Sequence, residues 1–319
     1  VVTHVMLDLL HEEAPIIDWL LSGDVALQYQ TTRDLLDKGQ PELQARISKE
    51  GWGKQYLDCR NTDGGWGDAF YAPKWTSTHY TLLELKRLQI APTTEGLLET
   101  IVQIAERHIS KDGGLGHTPG CKKSDVCING MFLNYACYFG IPERLITSIV
   151  DFLLGEAMED GGFNCMRNRS GARHSSLHST LSVLEGILEY RRAGHSHRLD
   201  ELQQVAASSQ EFVLLHQLFK SDITGKVINP DFLKMPYPQH WRYTVLKALD
   251  YFRAADVQFD SRMKDGLNEI WSRRRPDGKW PRYAALPGKL HFVMEPPRGP
   301  SRWNTLIALR VAKAYSIPC

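Results

Sequence analysis

The chain has 319 residues, of which 42% are apolar, and its formal net charge at pH 7 is +1. This length and apolar content suffice for a buried core, while the near-zero charge predicts no nucleic-acid or membrane-surface partner. No run approaches the roughly 18 apolar residues of a membrane span, so no transmembrane segment is predicted. Six cysteines are too few for a disulfide framework, and this favours a reducing, cytoplasmic location.

One pattern recurs along the chain. A turn, often Asp-Gly-Gly-aromatic, precedes an apolar helix that opens with Thr or Asn two positions after an anchor residue. The anchors are Tyr29, His79, Cys127, His178, Arg242 and Trp303, at separations of 50, 48, 51, 64 and 61 residues. The repeats lie near 23–60, 61–110, 111–158, 159–218, 219–270 and 271–319, within a single domain over 1–319. A period near 50 residues predicts an array of helix pairs.

The two helices of each predicted pair differ in character. The anchor helices, such as 81–85 and 180–188, are apolar on nearly all faces, whereas 95–108, 142–154 and 197–218 are amphipathic. Helices apolar all round are buried, so the anchor helices are expected to form an inner ring and the amphipathic helices an outer ring. The sequence therefore predicts an all-α fold, a closed α/α toroid of about six helix pairs. The alternative, an open solenoid, requires polar capping repeats, and neither terminus has one.

The glycine turns and this alternation of helices resemble the α/α-toroid superfamily of terpenoid (squalene or triterpene) cyclases and protein prenyltransferase β-subunits. The resemblance covers nearly the whole chain, from about residue 23 to 315. Its most specific part is Asp125-Val-Cys127, which resembles the zinc segment of the prenyltransferase β-subunits. His178, at the start of the next anchor helix, stands where the third zinc ligand of that family is expected. The resemblance thus implies a Zn²⁺ site formed by Asp125, Cys127 and His178.

Helix geometry sets a condition on this metal site. Residues i and i+2 do not share a helix face, so Asp125 and Cys127 converge only if Asp125 occupies the N-cap position. An Asp/Cys/His set leaves the fourth position of zinc open to substrate, which is the mark of a catalytic site. In the alternative interpretation Asp125 caps the helix, Cys127 packs in the core and His178 is hydrogen-bonded. In a second candidate set, Cys121, Cys165 or His174 from the neighbouring turns and helix starts joins Cys127 and His178, with the soft ligands Cys121 and Cys165 instead of Asp125.

Two further residues are predicted to act at the site. Lys122 matches the diphosphate-binding Lys of the prenyltransferases, and His79 lies close to the position of a diphosphate-binding His. The Arg and Tyr that the family carries nearby are Pro119 and Ile128 here. The mouth formed by the N-termini of the inner helices is expected to favour an anion. The alternatives are a solvated loop lysine and a hydrogen-bonded core histidine.

Substrate-binding residues are predicted from the side chains that concentrate at the helix starts. These are Tyr29, Tyr80, Trp241, Arg242 and Trp303. Aromatic rings there are able to line an isoprenoid site or stabilise a carbocation, although such rings also occur as plain core. Glu84 and Glu185 are the best candidates for a buried acid, with structural ion pairing as the alternative. The Pro-rich segment 289–300 is interpreted as a lid, with Glu295 and Arg298 near the ligand or packed within the loop.

Two functions of different classes follow. The first is a prenyltransferase-like or terpenoid-cyclase-like enzyme that acts on an isoprenoid or other apolar substrate in a central cavity, with zinc as cofactor. The second is a non-catalytic toroid that binds a lipid or peptide and has at most a structural metal.

Overall fold

The computed structural model describes residues 13–296 and 298–315. Over these residues the protein is all-helical, with isolated β-bridges and no strand. The α-helices are α1 (Ala14–Leu21), α2 (Val25–Asp34), α3 (Pro41–Arg46), α4 (Gly51–Asp58), α5 (Thr78–Arg87), α6 (Leu97–His108), α7 (Val126–Tyr138), α8 (Thr147–Gly155), α9 (Arg167–Ser170), α10 (Leu177–Arg192), α11 (Leu199–Leu215), α12 (Val245–Ala254), α13 (Lys264–Trp271) and α14 (Arg302–Tyr315). Short 3-10 helices span Glu143–Leu145, Pro230–Leu233 and Ser261–Met263. None of the described helices is long and apolar enough to cross a membrane.

The predicted difference between the two kinds of helix is confirmed. The anchor helices are α2, α5, α7, α10, α12 and α14, and most of their residues are buried. In α5, for example, the first eight of ten residues are buried. The second helix of the same repeat, α6, buries one face only, through residues such as Leu97, Ile101 and Ile104. Amphipathic helices α6, α8 and α11 lie where the periodicity predicted them.

The anchor helices contact one another in chain order. Helix α5 packs on α7, α7 on α10, α12 on α14, and α14 returns to α2. The two remaining pairs of consecutive anchor helices, α2 with α5 and α10 with α12, are joined by side chains. Gln30 of α2 donates to the carbonyl of Arg87 at 2.9 Å, and Lys247 of α12 lies 3.0 Å from the carboxylate of Glu185 in α10. Contacts therefore run from each anchor helix to the next and from the last to the first.

Hydrogen bonds explain the recurring turn. In three repeats the backbone N–H that follows the two-glycine or Gly-Lys turn donates to a Thr or Asn in the first turn of the anchor helix. The pairs are Leu115 to Asn129 at 2.6 Å, Phe163 to Thr180 at 3.0 Å and Trp280 to Thr305 at 3.0 Å. The first glycine of each turn has positive φ, as at Gly113 (85°) and Gly161 (94°), a conformation that disfavours other residues.

The second repeat departs from the predicted register. There the N–H of Trp66 donates to Thr78 at 2.8 Å, so Thr78 takes the place of Asn129, Thr180 and Thr305. His79 consequently lies one helical turn deeper than the anchors Cys127, His178 and Trp303. This register places the His79 ring in the protein core.

The first and fifth anchors lie off the predicted helix starts. Helix α2 begins four residues before Tyr29, because the carboxylate of Asp24 caps it by accepting the N–H of Ala26 at 2.9 Å. Helix α12 begins three residues after Arg242, because the Thr244 hydroxyl caps it by accepting the N–H of Lys247 at 3.1 Å. Capping side chains, rather than the apolar pattern alone, thus set these two boundaries.

Candidate functional site

Asp125 occupies the N-cap position of α7, and Cys127 lies in its first turn, as the predicted convergence requires. The carboxylate of Asp125 does not cap the helix, however. It forms a two-pronged ion pair with Arg169, whose Nε lies 3.0 Å from Oδ1 and whose Nη2 contacts Oδ2. Both oxygens of Asp125 are therefore engaged by one guanidinium.

Cys127 faces a second cysteine. Its backbone N–H donates to Sγ of Cys165 at 3.3 Å. The hydrogen bond to Cys165 and burial raise the pKa of Cys127, while the same hydrogen bond lowers the pKa of Cys165. A lowered pKa of Cys127 is the usual effect of a helix N-terminus, but here the neighbouring sulfur and burial outweigh it.

His178, the second residue of α10, is held by the loop before α12. Its Nδ1 accepts the N–H of Tyr243 at 2.8 Å, and its ring packs edge-on against Phe232 and Trp241. Burial, with the nearby charges of Lys247 and Arg242, lowers the pKa of His178 to about 4. The imidazole is therefore neutral at physiological pH, with Nδ1 already used as an acceptor.

The structure does not bring Asp125, Cys127 and His178 together as a metal site. Among residues 13–296 and 298–315, no group of three or more His, Cys, Asp or Glu side chains is arranged to hold a metal ion. In the second candidate set, Sγ of Cys121 contacts the carbonyl of Lys123 at 3.0 Å, and His174 is exposed. No chemical step is derived through zinc for this reason. Zinc stays a prediction, and elemental analysis of wild type beside Cys127→Ala and His178→Ala would test it.

The two predicted diphosphate-binding residues have unlike surroundings. Lys122 is exposed in the loop before α7. His79 is fully buried in α5, where Nδ1 hydrogen-bonds the Tyr135 hydroxyl at 3.2 Å and the ring contacts Phe70 and Tyr71. Burial lowers the pKa of His79 to about 3, so this imidazole carries no charge for an anion.

Only one of the five predicted substrate-binding residues lines the cavity that lies among the anchor helices. Trp303 does so, with its ring stacked on Tyr237 at a centroid separation of 4.7 Å. The others have protein partners. The Tyr29 ring lies under Arg33, the Tyr80 hydroxyl hydrogen-bonds Tyr71, Trp241 packs on His178, and Arg242 lies 3.5 Å from Asp231.

The predicted lid segment also makes internal contacts. The carboxylate of Glu295 accepts the N–H of Arg302 at 2.6 Å and the hydroxyl of Ser301 at 2.8 Å, which caps the start of α14. Arg298 is exposed. Glu295 is therefore packed within the loop, which was the alternative to a role near a ligand.

A cavity of about 470 Å³ lies among the anchor helices, and every one of the six contributes to its wall. The contributions include Gln30, Arg87, Asn134, Glu185, Lys247 and Trp303. Its deep wall, formed by residues such as Lys247 and Trp303, is buried, whereas Arg192, at the end of α10, is exposed. The cavity therefore opens at the C-terminal ends of the helices, opposite to the mouth expected from the helix N-termini.

Ion pairs between different anchor helices form the rim of the cavity. Arg310 of α14 joins Asp34 of α2 at 3.1 Å to Asp250 of α12, where its Nε lies 2.7 Å from Oδ1. Lys86 of α5 reaches Glu189 of α10 at 3.1 Å. Such pairs fix the spacing of the helix ends, because each side chain is partly removed from water.

Burial perturbs ionisable groups in the cavity wall and next to it, where Lys247 lines the cavity and Glu84 pairs with the lining residue Arg87. Burial lowers the pKa of Lys247, and the charge of Glu185 opposes that effect only in part. Burial raises the pKa of Glu84, although Arg87 pairs with it at 2.6 Å. Both predicted acids therefore lie in ion pairs. Glu84 pairs within its own helix and Glu185 pairs with Lys247 of the neighbouring helix.

Polar atoms of the cavity wall lack partners within the described part of the chain. Six lining residues each have a buried side-chain atom without a hydrogen bond there. The atoms are Asn134 Oδ1, Glu185 Oε2, Tyr237 Oη, Gln239 Nε2, Lys247 Nζ and Trp303 Nε1. Lys247 and Glu185 are close enough for an ion pair but are not aligned for a hydrogen bond. Buried polar atoms in proteins are nearly always satisfied, so this wall is complementary to a polar ligand or to ordered water.

The sequence pattern missed most of this cavity. Lys247, Asp250 and Arg310 carried no motif, because they belong to helices classified by their apolar residues. Glu84 and Glu185 were identified because each is a charged residue inside a helix that is buried on all faces. The same criterion would also have identified Lys247. Comparison of the chain with models of protein families and with curated protein sequences finds no match.

Proposed function

We propose that the six anchor helices form a closed α/α toroid of the kind found in terpenoid cyclases and prenyltransferase β-subunits. We further propose that its function is to bind a small molecule with an anionic group in the central cavity. The unbroken series of contacts from α2 through α14 and back supports closure. The observation that carries the binding proposal is the cavity wall, where four buried polar atoms, Asn134 Oδ1, Tyr237 Oη, Gln239 Nε2 and Trp303 Nε1, have no hydrogen-bond partner among the described residues.

Charge favours an anionic ligand. Seven Arg or Lys side chains and four Asp or Glu side chains line the cavity, and seven minus four leaves a formal excess of three positive charges. A cleft with one sign of charge and a low-dielectric wall concentrates ligands of the opposite sign. Lys247 is the best anchor for the anion, because its buried ammonium has three N–H donors, and its ion pair with Glu185 at 3.0 Å occupies only part of them.

The size and remaining lining of the cavity restrict the rest of the ligand. A volume of about 470 Å³ lies within the range of small-molecule sites, roughly 300–1,000 Å³. Leu188, Ile307 and the stacked rings of Tyr237 and Trp303 give part of the wall an apolar character. The ligand class is therefore a short amphipathic anion. An isoprenoid diphosphate belongs to this class, whereas the charged lining disfavours a purely apolar isoprenoid. Prenyl transfer or cyclisation, with or without zinc, stays a prediction of the resemblance.

Isothermal titration calorimetry with geranyl diphosphate tests this function. The wild type is expected to bind, and Lys247→Met is expected to bind about 10- to 100-fold more weakly, because a hydrogen bond to a charged group contributes about 1.5–3 kcal/mol. Lys226→Met is the matched control, since Lys226 is exposed and does not line the cavity. Its affinity is expected to equal that of the wild type.

Circular dichroism of Lys247→Met verifies that the variant is folded. Equal affinity of Lys247→Met and wild type would contradict the assigned anchor. Equal affinity for geranyl diphosphate and geraniol would contradict the requirement for an anion.

A further inference from the structure

Two thiols from different repeats meet at the N-terminus of α7. Cys165 lies 38 residues after Cys127, yet its Sγ accepts the backbone N–H of Cys127 at 3.3 Å. The Ser179 hydroxyl donates to the same sulfur, also at 3.3 Å. Both cysteines are half-buried, so the pair is neither sealed in the core nor fully exposed.

We infer that Cys127 and Cys165 are a redox-active dithiol that reacts with low-molecular-weight disulfides and closes to a Cys127–Cys165 disulfide. The inference rests on the hydrogen bond that joins the two cysteines and on the donors that converge on one sulfur. It is independent of the central cavity, because neither cysteine lines it.

The reaction balances as two thiol–disulfide exchanges. The Cys165 thiolate attacks one sulfur of the small disulfide, forms a mixed disulfide and releases one small thiol. The Cys127 thiolate then attacks Sγ of Cys165 and releases the second small thiol. The protein loses two protons and two electrons, and the small disulfide gains both as it becomes two small thiols. Cys165 is the first attacker because the Ser179 hydroxyl and the Cys127 N–H already donate to its sulfur.

The other described cysteines have different surroundings. Cys59 is exposed beyond the end of α4, and Cys137 is buried within α7. Sγ of Cys121 contacts the carbonyl of Lys123. Of the cysteines in the described part of the chain, Cys127 and Cys165 are thus the one pair joined by a hydrogen bond, from the N–H of Cys127 to Sγ of Cys165.

The disulfide would link two repeats. It joins the first turn of α7 to the segment that follows the turn at Gly161 and Gly162, and it closes the intervening chain into a loop. A covalent closure of this kind restricts the unfolded chain, so the oxidised protein is expected to unfold at a higher temperature than the reduced protein.

Intact-mass spectrometry and non-reducing peptide mapping after incubation with oxidised glutathione test the inference. The wild type is expected to lose the mass of two hydrogen atoms, to yield one peptide pair that joins Cys127 and Cys165, and to return to its first mass with dithiothreitol. Cys127→Ser is expected to stop at the mixed disulfide, with one glutathione on Cys165. Cys59→Ser, the matched control, is expected to form the internal disulfide as the wild type does.

Three results would overturn the inference. The first is that Cys127 and Cys165 remain free thiols while Cys59 carries glutathione. The second is a disulfide that joins Cys121 to either member of the pair. The third is a disulfide that forms only after treatment with a chelator, which would assign the two thiols to a bound metal. The same disulfide with and without chelator supports a free dithiol.

Discussion

Gly186→Ala is expected to destabilise the protein by about 3 kcal/mol, because α7 and α10 approach each other at a pair of glycines. A Cβ at Gly186 would lie 2.4 Å from the carbonyl oxygen of Gly130, and a Cβ at Gly130 would lie 2.5 Å from that of Ser182. Backbone atoms of a buried helix cannot rotate away as a side chain does. The two helices must therefore separate, and the loss of their packing supplies the cost.

Urea unfolding followed by circular dichroism measures this effect. Gly155→Ala is the control, because Gly155 ends α8, its φ is not positive, and a Cβ there meets no atom within 4 Å. That change is expected to leave stability unchanged or to raise it by up to about 1 kcal/mol. If Gly186→Ala unfolded at the same urea concentration as Gly155→Ala, the close approach of α7 and α10 would be refuted.

Arg310→Met is expected to destabilise the protein by about 2 kcal/mol near neutral pH, because it removes the guanidinium shared by two half-buried carboxylates, although Arg33 and Arg253 still pair with them. Burial raises the pKa of Asp34, but the hydrogen bond from Arg33 and the charge of Arg310 outweigh it and hold the pKa at about 2. For Asp250, burial likewise raises the pKa, and the charges of Arg310 and Arg253 outweigh it and lower the pKa overall.

The sign of the pH dependence follows from these lowered pKa values. A carboxylate whose pKa is lower in the folded state stabilises the fold above its unfolded pKa, and this contribution is lost as pH falls through the folded value. The difference in stability between wild type and Arg310→Met is therefore expected to be full above about pH 5 and to shrink between about pH 4 and pH 2.

Denaturant titrations at several pH values measure this difference. Arg198→Met is the control, since Arg198 pairs with Glu201 and Asp151 at the surface and its removal is expected to change stability little. A difference for Arg310→Met that stayed constant from neutral pH to about pH 2 would show that the carboxylates do not carry the effect.

The sequence predicted the fold further than it predicted the site. Periodicity identified the buried anchor helices and the amphipathic helices between them, because a helix buried on all faces carries apolar residues nearly all round. The exact register followed from local hydrogen bonds. In the second repeat Thr78 takes the place expected for Thr81, and Asp24 and Thr244 set the starts of α2 and α12.

The chemistry of the cavity depends on contacts between repeats, which a single sequence does not record. Asp125 matched a metal ligand in type and position, yet Arg169, 44 residues away, takes both of its oxygens. The partners of Lys247 and Arg310 lie on other helices, so the local sequence around each residue does not indicate them. Structural ion pairing was the alternative interpretation for Glu84 and Glu185, and both carboxylates lie in ion pairs.

Hydrogen–deuterium exchange with and without geranyl diphosphate tests the central claim most directly, because it locates a ligand along the chain. A ligand in the cavity is expected to slow exchange in the C-terminal halves of α2, α5, α10 and α12 together, since all four helices line it. Lys247→Met is expected to abolish the slowing at the same ligand concentration. Slower exchange confined to the segment around Lys122 and the first turns of α7 and α10, or no change in any helix, would contradict a ligand site at the centre of the helical ring.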